Sequence, residues 1–505
     1  MKHTGSHAKT VRTALDDLEY GPLESPEAYD RVRKAVLPEG VSRRRLMRDV
    51  TLIAWPSFIE LVLTQLTSMA DQIMVGQMPG EAGVQALSAV GLSTLPKFLL
   101  LTMVIAMNAG TTAIVARYRG QQNRERANQA FRQSLILNFI MSAAMMIVGL
   151  CCSRWLITFM GGSGISGQTL DQAVTYLNIQ LYGFIPLCLT TSITASLRGV
   201  GDTRTPMIYN TIANVVNLVM NYVMIYGKFG CPAMGVAGAS LATVIGQSVA
   251  FLIAAGVTLG KKHYIYLDLR QKLTFDWDIM KFVASIGLPS MIEQLFMRAG
   301  FLVFHRTVAS LGDTVYATHQ VVANIQSMSF MIGQAFGNAS TTLMGQSLGK
   351  RRYDMAASYV KQTRLLGLAA SVVLMLLMTL FSEQLIALYN STPEVISIGA
   401  PILLMVALMQ PLQGDQFIVS GGLRGVGDTR YTAIIVFITT LGVRSILCVI
   451  AVNVLHWGLF GAWMAIVADQ LLRTALINMR YLSGKWKVHV RRRAQQEAQQ
   501  NSVPA

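Results

Sequence analysis

The octapeptide Leu197-Arg198-Gly199-Val200-Gly201-Asp202-Thr203-Arg204 recurs unchanged as Leu423-Arg424-Gly425-Val426-Gly427-Asp428-Thr429-Arg430. A chance match of this length is negligible, and self-similarity at a fixed offset marks duplicated structure. Working outward, Trp55-Pro56-Ser57-Phe58-Ile59-Glu60 parallels Leu288-Pro289-Ser290-Met291-Ile292-Glu293. A segment ending at Gly120 before a basic loop parallels one ending at Gly349 before Lys350-Arg351-Arg352. The chain therefore reads as two copies of one unit. The two glycines of each octapeptide permit a tight turn. Thr205 before Pro206 resembles a helix N-cap with proline at the first helical position. A structural turn is the preferred reading of the octapeptide over a catalytic or binding motif.

The two copies are made of apolar runs. The 505 residues are 52% hydrophobic and 13% charged, with a mean hydropathy of +0.44. An ordinary soluble chain carries about 25% charged residues, so a soluble or disordered protein is excluded. Twelve apolar stretches are predicted as membrane spans: 50–76, 84–116, 133–159, 170–196, 206–227, 235–259, 282–309, 316–345, 363–389, 395–421, 432–455 and 459–481. Open strands cannot cross lipid with their backbone groups unpaired, and a barrel needs short alternating segments instead of long apolar runs. The predicted fold is an all-α polytopic membrane protein. Six spans per copy is an even number, so both copies enter the membrane from the same side, as parallel repeats. The predicted division is an N-terminal tail (1–49), a six-helix bundle (50–259), a linker (260–281), a second bundle (282–482) and a basic tail (483–505).

The net charge of +16 raises the question of a nucleic-acid partner. The distribution of the charge answers it. With Met1 inside, most of the 42 Lys and Arg residues fall in the two tails and in the loops after even-numbered spans. This bias orients the chain with both termini cytoplasmic and accounts for the basicity without nucleic acid. The N-terminal tail has no apolar core of a cleavable signal. Its basic cluster Arg43, Arg44, Arg45 and Arg48 lies either against anionic headgroups or in solvent. The linker, with Tyr264, Tyr266, Phe275 and Trp277 among charges, is expected as an amphipathic segment on the inner surface. Five cysteines show neither CxxC nor metal spacing, so no disulfide framework or zinc site is expected.

Several local patterns together resemble the multidrug and toxic compound extrusion (MATE) transporters. They are Pro56 followed by Asp71-Gln72-Ile73-Met74-Val75-Gly76, both copies of Leu-Arg-Gly-Val-Gly-Asp-Thr, and Asn214 with Asn217 in span 5. Thr342-Leu343-Met344-Gly345-Gln346-Ser347-Leu348-Gly349 and Thr318-His319-Gln320 complete the set. The resemblance covers residues 50–480. It implies two six-helix bundles, alternating access and cation-driven efflux.

Ionisable and polar groups within spans are costly and usually face a cavity or a partner. Glu60, Thr64, Thr67 and Asp71 share one face of span 1, and Asn210, Asn214, Asn217 and Asn221 repeat the spacing in span 5. Two polar stripes in one half would enclose a wet, proton-accessible site. A carboxyl group in a low-dielectric cavity favours its neutral form, which suits a proton carrier. Interhelical hydrogen bonding that merely holds the bundle together is the alternative. Asp71, Asn214, Asn217 and Asn221 are the candidate cation-coupling residues. Glu60, Thr64, Thr67, Asn210, Glu293, Met297, Gln413 and Asp415 are candidates for the substrate cavity. Glu293, Arg298, His319, Gln320 and Asp415 are expected to form a paired network in the second half.

The resemblance sharpens the choice of ion. NorM-like members carry an acidic residue at the positions of Met297 and Gln413. The chain therefore resembles the DinF-like branch more closely, in which the span-1 aspartate, here Asp71, is implicated in proton coupling. Asn221 is a departure from this pattern, since some members carry an aspartate there. No Walker A pattern occurs, which disfavours a primary ATP-driven pump, and no HExxH or GxSxG stands out. The expected function is a secondary multidrug antiporter expelling organic, often cationic, compounds in exchange for protons. It needs no cofactor, works as a monomer among membrane lipids and lies in the bacterial inner (plasma) membrane. A sodium-coupled antiporter and a lipid-linked precursor flippase are the alternatives; an integral membrane enzyme is disfavoured.

Overall fold

In a membrane the backbone must satisfy its own hydrogen bonds, and each apolar run does so as a helix. The computed structural model describes residues 11–20, 41–78, 81–161, 167–268, 275–389 and 392–487. The first half contains α1 (Arg43–Gly76), α2 (Glu81–Gly120), α3 (Arg124–Gly161), α4 (Gly167–Tyr182), α5 (Phe184–Gly199), α6 (Arg204–Tyr226) and α7 (Gly235–Leu259). The second contains α8 (Trp277–Ala309), α9 (Asp313–Gly349), α10 (Tyr353–Leu380), α11 (Ser382–Ala387), α12 (Pro393–Leu408), α13 (Gln410–Val426), α14 (Thr429–Val436), α15 (Ser445–Val449) and α16 (Gly458–Leu482). Among the described residues, nine helices are individually long and apolar enough to span a bilayer, and two bent pairs bring the number to eleven. The twelfth is α9. It carries Thr318, His319, Gln320, Asn324 and Gln326, and its last part from Ala339 to Leu348 is buried within unit 2, packed with α10, α12 and α13. Shielding by neighbours lets this span be polar.

The predicted spans 170–196 and 395–421 are not single straight helices. α4 and α5 meet at 50°, and α12 and α13 meet at 44°. Pro186 and Pro411 lie just after the two breaks. Proline lacks the N–H that would continue the ladder and clashes with the carbonyl four residues earlier. The same break in the fourth span of each copy adds to the evidence of duplication. The eleventh span changes its winding. Phe437–Arg444 and Ile450–Val454 are π-helical on either side of α15, a form that occurs mostly in short stretches and frequently near functional positions.

The octapeptides are turns, but their two glycines have different tasks. Gly201 and Gly427 take left-handed φ values of +88° and +90°, which a Cβ would strain. Gly199 and Gly425 are helical. A Cβ there would stand 2.9 Å from the Thr112 carbonyl oxygen and 2.7 Å from that of Thr341, so these glycines allow helix backbones to touch. Thr205 does not cap α6. The Asp202 carboxylate does so, accepting from the Thr205 backbone N–H at 3.1 Å and its hydroxyl at 2.8 Å. A carboxylate is the stronger acceptor at a helix N-terminus.

The chain forms two compact units. Unit 1 comprises Ile59–Tyr118 and Asn123–Gly287; unit 2 comprises the described residues of Val11–Phe58, Arg119–Gln122 and the chain from Leu288 onward. α1 thus begins in unit 2 and ends in unit 1. The core of unit 1 has one cluster around Phe131, Ile193, Tyr209 and Ile279 and another around Ile157, Leu177, Phe184 and Cys188. Unit 2 is centred on Phe304, Leu403, Cys448 and Trp463. Large apolar side chains such as Trp155, Phe159, Leu252 and Leu380 are exposed, which suits lipid-facing surfaces.

Part of the N-terminal tail packs into unit 2, while Arg43, Arg44 and Arg48 of its basic cluster are exposed. Ala14 and Leu15 are buried with Leu46, Val50, Ala339 and Tyr359 in one apolar cluster of unit 2. The Asp49 carboxylate accepts from the Ala14 N–H and from the Tyr359 hydroxyl, both at 2.7 Å, and Lys350 donates to the Leu15 carbonyl. Hydrogen bonds to charged groups contribute about 1.5–3 kcal/mol each. Asp49→Ala should therefore speed amide exchange across residues 11–20 by about tenfold or more, read by hydrogen–deuterium exchange mass spectrometry. Exchange at the wild-type rate would show that the apolar contacts alone hold the segment. The described linker residues 260–268 form no helix. Arg124 clasps them, donating to the carbonyls of His263 at 2.8 Å and Tyr264 at 3.0 Å, and Ile265 is fully buried. The linker residues 269–274 and the tail residues 488–505 lie outside the described residues.

Candidate functional site

The two polar stripes read from the sequence meet within unit 1. Three rungs join α1 to α6 at a constant sequence offset. Asn210 Nδ2 donates to Glu60 Oε1 at 2.7 Å, Asn214 Nδ2 to Thr64 Oγ1 at 3.5 Å, and Asn221 Nδ2 to Asp71 Oδ1. The constant offset means that α1 and α6 run parallel here, with their polar faces in register. Asn217 belongs to the same site. With its amide turned to satisfy both of its ends, it donates to Asp71 Oδ1 at 2.9 Å and accepts from the Thr243 N–H at 3.2 Å. Thr67 stands apart from this ladder, its hydroxyl returning to the Leu63 carbonyl at 2.9 Å.

Asp71 is the chemical centre of the ladder. An ionised carboxylate only accepts hydrogen bonds, and Asn217 and Asn221 supply donors. A protonated Asp71 needs an acceptor, which an Asn amide supplies by turning its oxygen inward. Coordination of a metal cation would require the amides to turn their oxygens inward, since hard cations take oxygen ligands. The positive charge acting on Asp71 is Lys97 of α2, whose Nζ donates to Gln180 Oε1 at 2.6 Å. Neither Lys97 nor Gln180 is among the predicted site residues. The signal for Lys97 was a lysine inside an apolar run.

Glu60 is held by Arg198 at 2.8 Å as well as by Asn210. Glu293 is its counterpart in unit 2, bonded to Arg424 at 2.8 Å and to the Thr432 hydroxyl at 3.1 Å. Both arginines come from the repeated octapeptide. Its aspartates are engaged too, Asp202 with His263 at 3.2 Å and Asp428 with Arg480 at 2.8 Å. The octapeptide is therefore a staple in each copy, and its duplicated arginine was the signal available for the partner of the carboxylate.

Four members of the expected second-half network, Glu293, His319, Gln320 and Asp415, make separate contacts from α8, α9 and α13. Glu293 takes Arg424. His319 Nε2 meets His305 Nδ1 at 3.3 Å, and Gln320 donates to the Tyr316 hydroxyl at 2.9 Å. Asp415 accepts from Arg364 at 2.6 Å and from Asn478 at 2.6 Å. Met297 is half-buried on α8. Gln413 is buried on α13, with its Oε1 lacking a partner. A charged group unseen in the sequence occupies the interior of unit 2: Arg444 and Arg473 both pair with Asp469, the latter at 2.7 Å, and Arg473 Nε reaches Thr439 at 3.2 Å. All three side chains are nearly inaccessible. The i, i+4 spacing of Asp469 and Arg473 was the clue.

Comparison with known proteins follows this geometry. The MatE family model matches twice, over residues 56–223 and 289–450, once in each copy of the repeat. A probable multidrug resistance protein NorM of Thermotoga maritima is 31% identical over 443 residues, covering 88% of this chain and 93% of that one. A multidrug resistance protein MdtK of Yersinia enterocolitica is 29% identical over 380 residues, covering 75% and 82%. The fold is also that of a solved structure described as an outward-facing conformation of a multidrug resistance MATE family transporter of the MOP superfamily. That match has a TM-score of 0.79 at 22% identity and covers 90% of this chain and 98% of the other.

Proposed function

The chain belongs to the MatE family, and from that premise we propose that it is a secondary antiporter expelling organic, often cationic, compounds in exchange for protons. The observation that carries the proposal is Asp71 clasped by the Asn217 and Asn221 amides on a polar face of α1. Release of the proton would leave a carboxylate facing Lys97 and the polar ladder, and its return would neutralise the site. A change of charge of this kind biases an alternating-access equilibrium only if the two states bind the proton with different affinity. The multidrug names of the relatives support the substrate class. Alternating access itself is proposed on the parallel-repeat architecture, with the protein acting as a monomer in the plasma membrane. The basic bias of tails and even-numbered loops supports cytoplasmic termini.

Proton coupling is preferred to sodium because the second-half positions that are acidic in NorM-like members are Met297 and Gln413. On those two residues we place the chain nearer the DinF-like branch, although its relatives carry NorM and MdtK names. A flippase for lipid-linked precursors would suit a basic cavity, whereas Arg444 and Arg473 are committed to Asp469. The test is transport of a fluorescent organic cation by purified protein in liposomes. Uptake should follow an imposed pH gradient in sodium-free buffer. Transport that requires a sodium gradient and ignores the pH gradient would overturn the choice of ion.

A further inference from the structure

A groove of about 320 Å³ opens on unit 2 where the start of α1 meets α10, lined by Arg43, Met47, Lys361, Gln362, Arg364, Leu365, Leu368 and Asp415. Its charges are three cations against one carboxylate. Arg364 is committed to Asp415 at 2.6 Å and 3.1 Å. Arg43 and Lys361 are exposed and make no ion pair among the described residues. Gln362, 5% exposed, lines the groove with its Oε1 lacking a hydrogen-bond partner. A membrane protein that leaves two cations and a buried amide oxygen around one concavity has a place for a phosphate with polar substituents.

Lys361, Arg364, Leu365 and Leu368 stand at i, i+3, i+4 and i+7, on one face of α10. Leu365 and Leu368 are 51% and 44% exposed, and Leu376, eleven residues past Leu365 and on the same face, is 50% exposed. Lys361 is the ninth residue of α10, about 12 Å along the axis from its start, and Leu368 is about 10 Å deeper. Charge near the helix end and an exposed leucine lane beyond it match the order of a phospholipid, headgroup first and acyl chain after. An organic cation would be repelled by Arg43 and Lys361.

We infer that this groove binds an anionic phospholipid, its phosphate between Arg43 and Lys361 and one acyl chain along Leu365, Leu368 and Leu376. Basic pockets between membrane helices are suited to such headgroups. The leaflet is the one at the Arg43 end of α1, which the charge bias makes cytoplasmic.

The experiment uses the full-length protein, delipidated in detergent, with binding read by native mass spectrometry. The probes are dioleoyl-phosphatidylglycerol, dioleoyl-phosphatidylcholine and glycerol phosphate. Phosphatidylglycerol should be retained in preference to phosphatidylcholine, and glycerol phosphate should not displace it. The double variant R43Q/K361Q should bind phosphatidylglycerol about 30-fold more weakly, since each basic residue near a membrane surface contributes about 1 kcal/mol. R44Q removes one charge, as K361Q alone does, from an exposed neighbour outside the groove and should bind like the wild type. If the double variant does not fold, K361Q alone should lose about fivefold. Equal retention of the two lipids, equal loss in R44Q, or displacement by glycerol phosphate would each overturn the assignment.

Discussion

Asp71→Asn is expected to abolish ion-coupled efflux while leaving the fold intact. The substitution keeps the shape of the side chain and an oxygen that can accept from Asn221 or Asn217. What it removes is the titratable charge. The site then has no group on the α1 ladder near Lys97 that can take up and release a proton. If that proton is the coupling ion, loss of the group removes the only route by which the pH gradient biases the two states, so transport driven by the gradient should fall to the level of empty liposomes. Substrate binding should persist, because the polar ladder and the apolar surroundings remain. Three readings on one preparation are needed: gradient-driven transport, substrate binding at equilibrium, and the melting temperature. Full transport by the variant at an unchanged melting temperature would end the proposed role of Asp71. Loss of binding together with transport would make Asp71 a substrate contact instead of a coupling residue.

Asp469→Asn should damage the fold of unit 2. Arg444, Arg473 and Asp469 are 6%, 5% and 0% exposed at their side chains. Removing one partner of a buried ion pair leaves charge uncompensated in a low-dielectric interior, at a cost of about 3–5 kcal/mol. Here a single neutralisation strands two guanidinium groups. The expected result is a melting temperature lowered by several degrees or little folded protein in the membrane, measured by fluorescence-detected size exclusion after heating. Replacing all three by apolar residues of similar volume, as in Arg444→Met, Asp469→Leu and Arg473→Met, should recover most of the loss, because apolar replacement of a whole buried ionic cluster is often neutral or stabilising. A wild-type melting temperature for Asp469→Asn would show that water or another group compensates the arginines. Failure of the triple variant, with the single variant also unstable, would assign the cluster a shape that packing alone cannot replace.

Much of the candidate site was legible before any coordinates. The shared spacing of Glu60, Thr64 and Asp71 with Asn210, Asn214 and Asn221 already placed each set on one helix face, since that depends only on helical periodicity. The pairing of Asp71 with Asn221 is what two such stripes do when their helices pack. The same reasoning does not hold for Glu293, His319, Gln320 and Asp415. Proximity in sequence and chemical complementarity suggested one network, while Glu293 found Arg424 and Asp415 found Arg364. Thr205 was misread for a similar reason: its neighbour Asp202, a stronger acceptor, takes the capping position once the turn is formed.

The helical class, the twelve spans, the duplication and the polar faces of the first and fifth spans are written in the chain's local pattern. Each of these follows from local quantities: the length of an apolar run, the period of its polar residues, or direct repetition. The tertiary structure alone decided which faces meet. It set Arg198 on Glu60 and Arg424 on Glu293, gathered Arg444 and Arg473 around Asp469, broke the fourth span of each copy, and tied residues 11–20 to Asp49 and Lys350. The physical reason is that a buried charge must find its counter-charge in three dimensions. Except for Arg473, one turn from Asp469 on α16, that partner is chosen by the packing of helices far apart in the chain, on which no local period bears.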